Sequence, residues 1–532
     1  MSHLFKENKK ILKISRFLLI SFFLYIFFNT LFLYTGNKLV YLFFSVISFY
    51  LIVFSFRKKS IFFENFFGFF LLCGFWFKFS IILILKTSFT EGISGVQEIS
   101  PKNFDDAIIA SIIGILGFII FGYVREFFFS YPTKFNININ TKFYESNRKL
   151  ILIFFLLVFA SISFLNFYFQ IYQKGLIGQS YNFIISGIVK TSLLYFLSLW
   201  SAIILYYEVA SYKKVFIFIF LLVFLESFLS SVSMLSRGMV FNSFALVFAF
   251  YKLSNKIGLK VNYIFFLKIS LILIFIFIIS IFYINQVRIN ILSNNNSNNQ
   301  NQISNINNGK LNYLIDNIFI FNKAGSEDSV LLERNISTNE SQVTLADQDF
   351  IPNIKMKNFI DKSIFRLKHL LVHRWVGIDS MLLITKDKDK LSLDLFKESI
   401  KEKFDANSIS FYERKFKIYS EDHYSAKSIR KGNTLPGLIT FLFFSGSYIF
   451  LFFMMIFFSF IGFVIEYLML KSSSNNLFAA SLIGMVVSYR FAHFGYLPAQ
   501  SYLLFGSILG IILMFFVTRF VNKIYSKTKN KN

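Results

Sequence analysis

A chain of 532 residues that is 55% hydrophobic, 20% aromatic and 16% charged is not a soluble domain built around one core. Its formal charge of +26 does not mark a nucleic-acid binder: one long polar stretch, Asn285–Leu435, holds 22 Lys and Arg against 18 Asp and Glu, leaving a net +22 elsewhere. That excess sits in short loops and tails beside apolar runs, where it acts as a topology signal. The single cysteine, Cys73, stands in an apolar run, so a disulfide framework or a cysteine zinc site within one chain is excluded.

The start of the chain carries Lys6, Lys9, Lys10, Lys13 and Arg16, then an apolar run from Phe17 to Tyr34. It reads as a first membrane span entering from the cytoplasm and not as a cleavable leader, because another span follows directly. Further spans are expected at Leu39–Phe56, Ile61–Leu85, Ala107–Val124, Leu150–Ile171, Phe183–Tyr207, Val215–Met234, Met239–Leu253 and Val261–Ile284. Beyond the polar stretch come Pro436–Leu470, Leu477–Arg490 and Tyr502–Val521.

The sequence therefore predicts an all-α polytopic membrane protein of about 12 transmembrane helices. Nine precede the loop (1–284) and three follow it (436–532), with 285–435 as one large extracytoplasmic loop. Both termini and every strongly basic short loop fall on the cytoplasmic face. The same alternation puts Ser236-Arg237-Gly238, the large loop and the segment Arg490 to His493 on the outer face. Within the loop, 293–309 is Asn-rich and is expected to be a disordered tether. Residues 359–384 have the apolar spacing of an amphipathic helix, and Ser392–Phe404 that of a weaker, charged one.

Ionisable residues interrupt the spans, among them Lys78, Lys190 and Glu226. Such groups face protein or water-filled cavities when they sit at membrane depth. Glu226 lies about three helical turns from Arg237, so it either lines an outer-facing polar cavity or pairs with a neighbour. Arg237 sits in a tight turn beside Gly238, where a planar guanidinium suits either a phosphate or a lipid headgroup. Arg490 and His493 are three apart and share a helix face. The loop segment Phe365 to Asp379 carries Arg366, His369, His373 and Arg374. Its two histidines lack the adjacent Glu of a zinc-protease helix, so no metal is expected. His423 is a further candidate base. No phosphate-binding loop, dinucleotide fingerprint or nucleophile elbow is present, so an outer-face enzyme would need a substrate that already carries its activation.

The layout of many spans with one large outer loop before the last few, SRGMVF after the seventh span, RWVGID in the loop and LPGLITFLFFSGS at its exit resembles bacterial O-antigen polymerases. These are the oligosaccharide repeat-unit polymerases of surface-polysaccharide assembly. The resemblance implies a metal-independent, cofactor-free glycosyltransferase of the bacterial inner membrane. It would move a growing glycan from undecaprenyl diphosphate onto another lipid-linked repeat unit. Its partners would be undecaprenyl-diphosphate-linked oligosaccharides, membrane lipids and a chain-length regulator, with no nucleic acid. On that reading Arg237, Arg374, Arg490 and Arg366 bind the diphosphate, and His373, His423 and Glu226, in that order, are the candidate bases. An O-antigen ligase has a similar layout. A flippase also has about twelve spans but two matching halves, which are not evident here.

Overall fold

The computed structural model describes residues 2–86, 99–129, 141–173, 183–213, 216–257, 263–305, 375–402, 411–416, 436–494 and 498–529, and among these it contains helices and no strand. In chain order the first are α1 Ser2–Leu33, α2 Lys38–Ser55, α3 Phe62–Leu85, α4 Pro101–Phe128 and α5 Lys142–Phe169. Then follow α6 Ile184–Tyr212, α7 Ile217–Ser233, α8 Val240–Ile257 and α9 Tyr263–Asn305. Four short helices, α10 Ile378–Lys386, α11 Leu393–Ile400, α12 Phe411–Phe416 and α13 Gly437–Leu442, precede α14 Tyr448–Ser472, α15 Leu477–Ala492 and α16 Pro498–Lys529. The chain divides into two compact units, one of Met1–Ile284 with His369–Asn532 and one of Asn285–Lys368.

Among the described residues eight helices are long and apolar enough to cross a membrane: α2 to α6, α14, and the stretches Ile264–Ile284 of α9 and Ser501–Val521 of α16. The remaining expected spans coincide with shorter apolar helices at Phe17–Leu33, Ile217–Ser233, Val240–Ser254 and Leu477–Ala492. Polar caps fix where several begin. Asn37 accepts from Leu39 N, Ser100 from Asn103 N with Pro101 at the first helical position, and Asn476 from both Phe478 N and Ala479 N. Each cap supplies an acceptor to amides that the helix itself leaves open.

Contacts between helix ends alternate between two ends of the bundle. At one end Arg57 and Lys59 reach Glu126, Arg148 reaches Glu208, and Lys252 donates to Asn65 Oδ1 at 2.6 Å. At the other, Tyr34 donates to Asp105 at 2.6 Å and Asn166 donates to the Ser233 carbonyl at 2.9 Å. The first end is closed by buried charge. Arg125 donates to both Glu64 oxygens at 3.0 Å, Arg57 lies 3.1 Å from the same carboxylate, and the buried Glu466 accepts from Phe62 N and Phe63 N at 3.1 and 2.6 Å. Removing one member of such a pair would leave an uncompensated charge in the interior, at about 3–5 kcal/mol.

Two expectations change. The expected span Pro436–Leu470 is two elements: α13 ends in the turn Phe443–Ser445, Gly446 takes a left-handed φ of 68°, and Ser447 caps α14 by accepting from Phe450 N at 3.3 Å. A left-handed residue ends a helix, whatever the hydropathy around it. The Asn-rich tract, expected as a tether from residue 293, is helical as far as Asn305, because α9 is already nucleated and each added residue gains a backbone hydrogen bond. Of the expected helix 359–384, residues 359–374 lie outside the described residues; the described remainder is helical only from Ile378.

Candidate functional site

The polar segment that follows Lys368 does not lie apart from the apolar helices where it is described. Residues 375–379 dock against α3 at a π turn, Leu72–Phe77. Gly74 makes this approach possible: a Cβ there would stand 2.1 Å from the Val376 carbonyl oxygen. Gly377 answers with a φ of 156°, and a Cβ on it would lie 2.7 Å from the Gly74 oxygen. Just past the π turn, Lys78 Nζ stands 2.7 Å from Asp379 Oδ2 and donates to the Trp375 carbonyl at 2.8 Å. The Lys78 and Asp379 side chains are 0% and 1% exposed, so the pair is sealed inside the protein. π turns inside helices recur at functional sites.

From Trp375 the contacts run to three other segments. Its ring lies 6.3 Å from Phe70, and Phe70 lies 5.8 Å from Tyr489 on α15. Tyr489 touches the turn after α7, since a Cβ on Gly238 would be 3.0 Å from its hydroxyl. His493 stacks on Tyr489 at 4.1 Å, with its Nδ1 2.9 Å from the Tyr489 carbonyl. Gly437, the start of α13, donates its N–H to the Phe494 carbonyl at 2.9 Å. Thus four segments far apart in sequence meet at one end: 236–238, 375–379, 436–442 and 489–494. Three of them carry the motifs SRG, WVGID and PGL, and the fourth carries Tyr489, Arg490 and His493.

Arg490 binds Ser501 through Nε at 2.8 Å, while its Nη2 is buried and has no hydrogen-bond partner among the described residues. Lys190 lies 5.1 Å from the ring centre of Tyr172, and Arg490 is within electrostatic reach of both. Burial pushes the Tyr172 phenol up to about 12, with Arg490 pulling the other way. Asn166 holds that turn in place, accepting from Tyr172 N at 2.9 Å and donating to the Tyr172 and Ser233 carbonyls. Among the described residues neither Lys190 nor Arg490 has an acidic partner. A guanidinium fork and an ammonium are the groups that hold an anion.

Of the residues expected to act, Arg490 stands in this cluster and Arg237 opens the turn Arg237–Met239 beside it. Arg366, His373, Arg374 and His423 lie outside the described residues. Of the two readings left open for Glu226, contact with neighbouring side chains is the one observed. Glu226 is 0% exposed and accepts from Ser198 at 3.1 and 3.3 Å, Ser230 at 3.1 Å and Ser227 at 3.4 Å. Three hydroxyls supplied by α6 and α7 enclose the carboxylate. Sequence reading missed the Lys78–Asp379 pair, the carboxylates Glu64, Glu208 and Glu466, and Tyr489. Glu64 and Glu466 carried a readable signal, an acid inside an otherwise apolar run. Tyr489 carried none, being one of 27 tyrosines. No protein-family model, curated protein or solved structure matches this chain.

Proposed function

We propose that the chain is a multispan glycosyltransferase that polymerises lipid-linked oligosaccharide repeat units into a bacterial surface polysaccharide. All twelve apolar helices cross the inner membrane on this reading, the basic end faces the cytoplasm, and 285–435 lies outside. The observation that carries the reading is the meeting of the four segments at one end, with Arg490 and Lys190 lacking carboxylate partners there among the described residues. The resemblance of SRGMVF, RWVGID and LPGLITFLFFSGS to polymerase motifs gives that cluster its chemistry. Closure of the opposite end by Glu64, Arg125, Arg57 and Glu466 favours an enzyme open to one side over a transporter that must open to both.

In the reaction the acceptor hydroxyl attacks the anomeric carbon of the donor glycan. The bond from that carbon to the diphosphate oxygen breaks, undecaprenyl diphosphate leaves with the electron pair, and the hydroxyl proton passes to a base. Cations placed where charge develops on the diphosphate lower the barrier most. Arg490, with Arg237 from the turn beside it and the loop residues Arg374 and Arg366, fills that role. His373 is the first choice of base and His423 the second. Glu226, sealed among serines, supports the helices instead.

The test is a gel of surface glycan from cells lacking the gene, with lipid-carrier intermediates measured beside it. Loss of the long-chain ladder, with a single repeat unit still attached to its acceptor, is the expected result. Complete loss of attached glycan, with polymer held on the lipid carrier at the outer face, would instead identify a ligase. Repeat units trapped at the inner face would identify a flippase.

A further inference from the structure

We infer that Lys78 and Asp379 are positioning residues for the site, setting the register in which segment 375–379 enters α3. This rests on the function proposed above. An ordinary helix at 72–77 would close over the site where Val376 lies; the π turn and Gly74 open it, and Gly377 adopts the backbone that follows. These features permit docking but do not choose its register, because an aromatic and glycine contact can slide. The ion pair chooses it. One ammonium, 0% exposed, holds both the Asp379 carboxylate at 2.7 Å and the Trp375 carbonyl at 2.8 Å, so both ends of the five-residue segment are tied to one atom. Trp375 is thereby set against Phe70, which bears on Tyr489, the residue before Arg490. Fixing register is the best-attested use of a buried polar pair, and such a pair adds little net stability over apolar residues of similar size.

That last property separates positioning from folding. The double variant Lys78→Met/Asp379→Leu removes both charges and leaves none buried alone, so it is expected to accumulate as the natural protein does. Docking is read without reference to activity. Trp76 and Trp200 are replaced by Phe, which leaves Trp375 as the sole tryptophan of three. Its emission and acrylamide quenching are then measured in the purified full chain. The double variant is expected to shift Trp375 emission to the red, to raise its quenching, and to lower polymer formation by about 10²-fold, the cost of a misplacement near 1 Å. The swapped pair Lys78→Asp/Asp379→Lys restores the charges but not the donor to the Trp375 carbonyl, so its emission is expected to stay shifted to the red. Unchanged emission in the double variant overturns the inference whether or not polymer is lost, and so does shifted emission with a full polymer ladder. If cells lacking the gene make a normal ladder, the polymerase reading fails, while Trp375 emission still judges whether the pair sets the docking.

Discussion

Arg490→Ala is the substitution whose size the geometry sets most directly. Nε of Arg490 is committed to Ser501 at 2.8 Å, which orients the guanidinium and leaves its two terminal nitrogens for an anion. Nη2 is buried without a partner among the described residues, so no competing acceptor must be displaced. Two charge-assisted hydrogen bonds at about 1.5–3 kcal/mol each give about 3–6 kcal/mol. At about 1.4 kcal/mol per decade, that is about 10²–10⁴ in turnover. Arg490→Lys keeps the charge but loses the fork, so it is expected to lose about half of that energy. Ser501→Ala keeps both terminal nitrogens and loses only their orientation, so its effect is expected to be smaller than either. The assay is polymer formation by the purified chain on a synthetic undecaprenyl-diphosphate repeat unit, with turnover and KM separated. If Arg490→Ala and Arg490→Lys both turn over within about threefold of the natural chain, Arg490 does not stabilise the leaving diphosphate and the argument fails.

Two further outcomes test how buried carboxylates are used. Glu466→Gln turns an amide N–H₂ toward amides that now donate to a carboxylate at 2.6 and 3.1 Å, so one buried donor loses its acceptor. The expected cost is about 2–4 kcal/mol, read from unfolding in mixed SDS micelles; an unchanged midpoint would show that Glu466 does not hold the start of α3. Glu226→Gln keeps the shape and most of the serine contacts, so polymer formation is expected to stay within about threefold. A loss beyond about 10²-fold with normal protein level would restore Glu226 as the base.

Hydropathy alone located the apolar helices, because about twenty apolar residues with few charges have few alternatives to a span or a buried helix. The helix-end contacts put Arg57 with Glu126 at one end and Tyr34 with Asp105 at the other. What composition could not reveal depends on one residue's backbone or on a distant partner. The apolar run across 436–470 hides the turn at Gly446, where φ is 68°. Gly74 looks like any glycine in a span until Val376, some three hundred residues later, is laid against it. Lys78 was visible as an anomaly, yet its meaning needed Asp379 from the loop. The motifs SRG, WVGID and PGL were legible one by one; their meeting through Phe70 and Tyr489 was not, since neither aromatic stands out among so many.

The excess of positive charge marks an end of the molecule but not the site, and the matching of charges explains why. At the basic end Arg125 has Glu64, Arg57 has Glu64 and Glu126, and Arg148 has Glu208, each at 3.1 Å or less. Those guanidiniums are already spent on carboxylates, and an incoming diphosphate would have to displace a buried partner to reach them. At the opposite end Lys78 is likewise taken by Asp379, but Arg490 and Lys190 have no acidic partner among the described residues. A leaving group that gains negative charge is stabilised by cations whose fields are not already cancelled. On the proposed function, chemistry on a diphosphate is therefore expected at the end where Arg490 has no carboxylate among the described residues, and not where carboxylates occupy Arg57, Arg125 and Arg148.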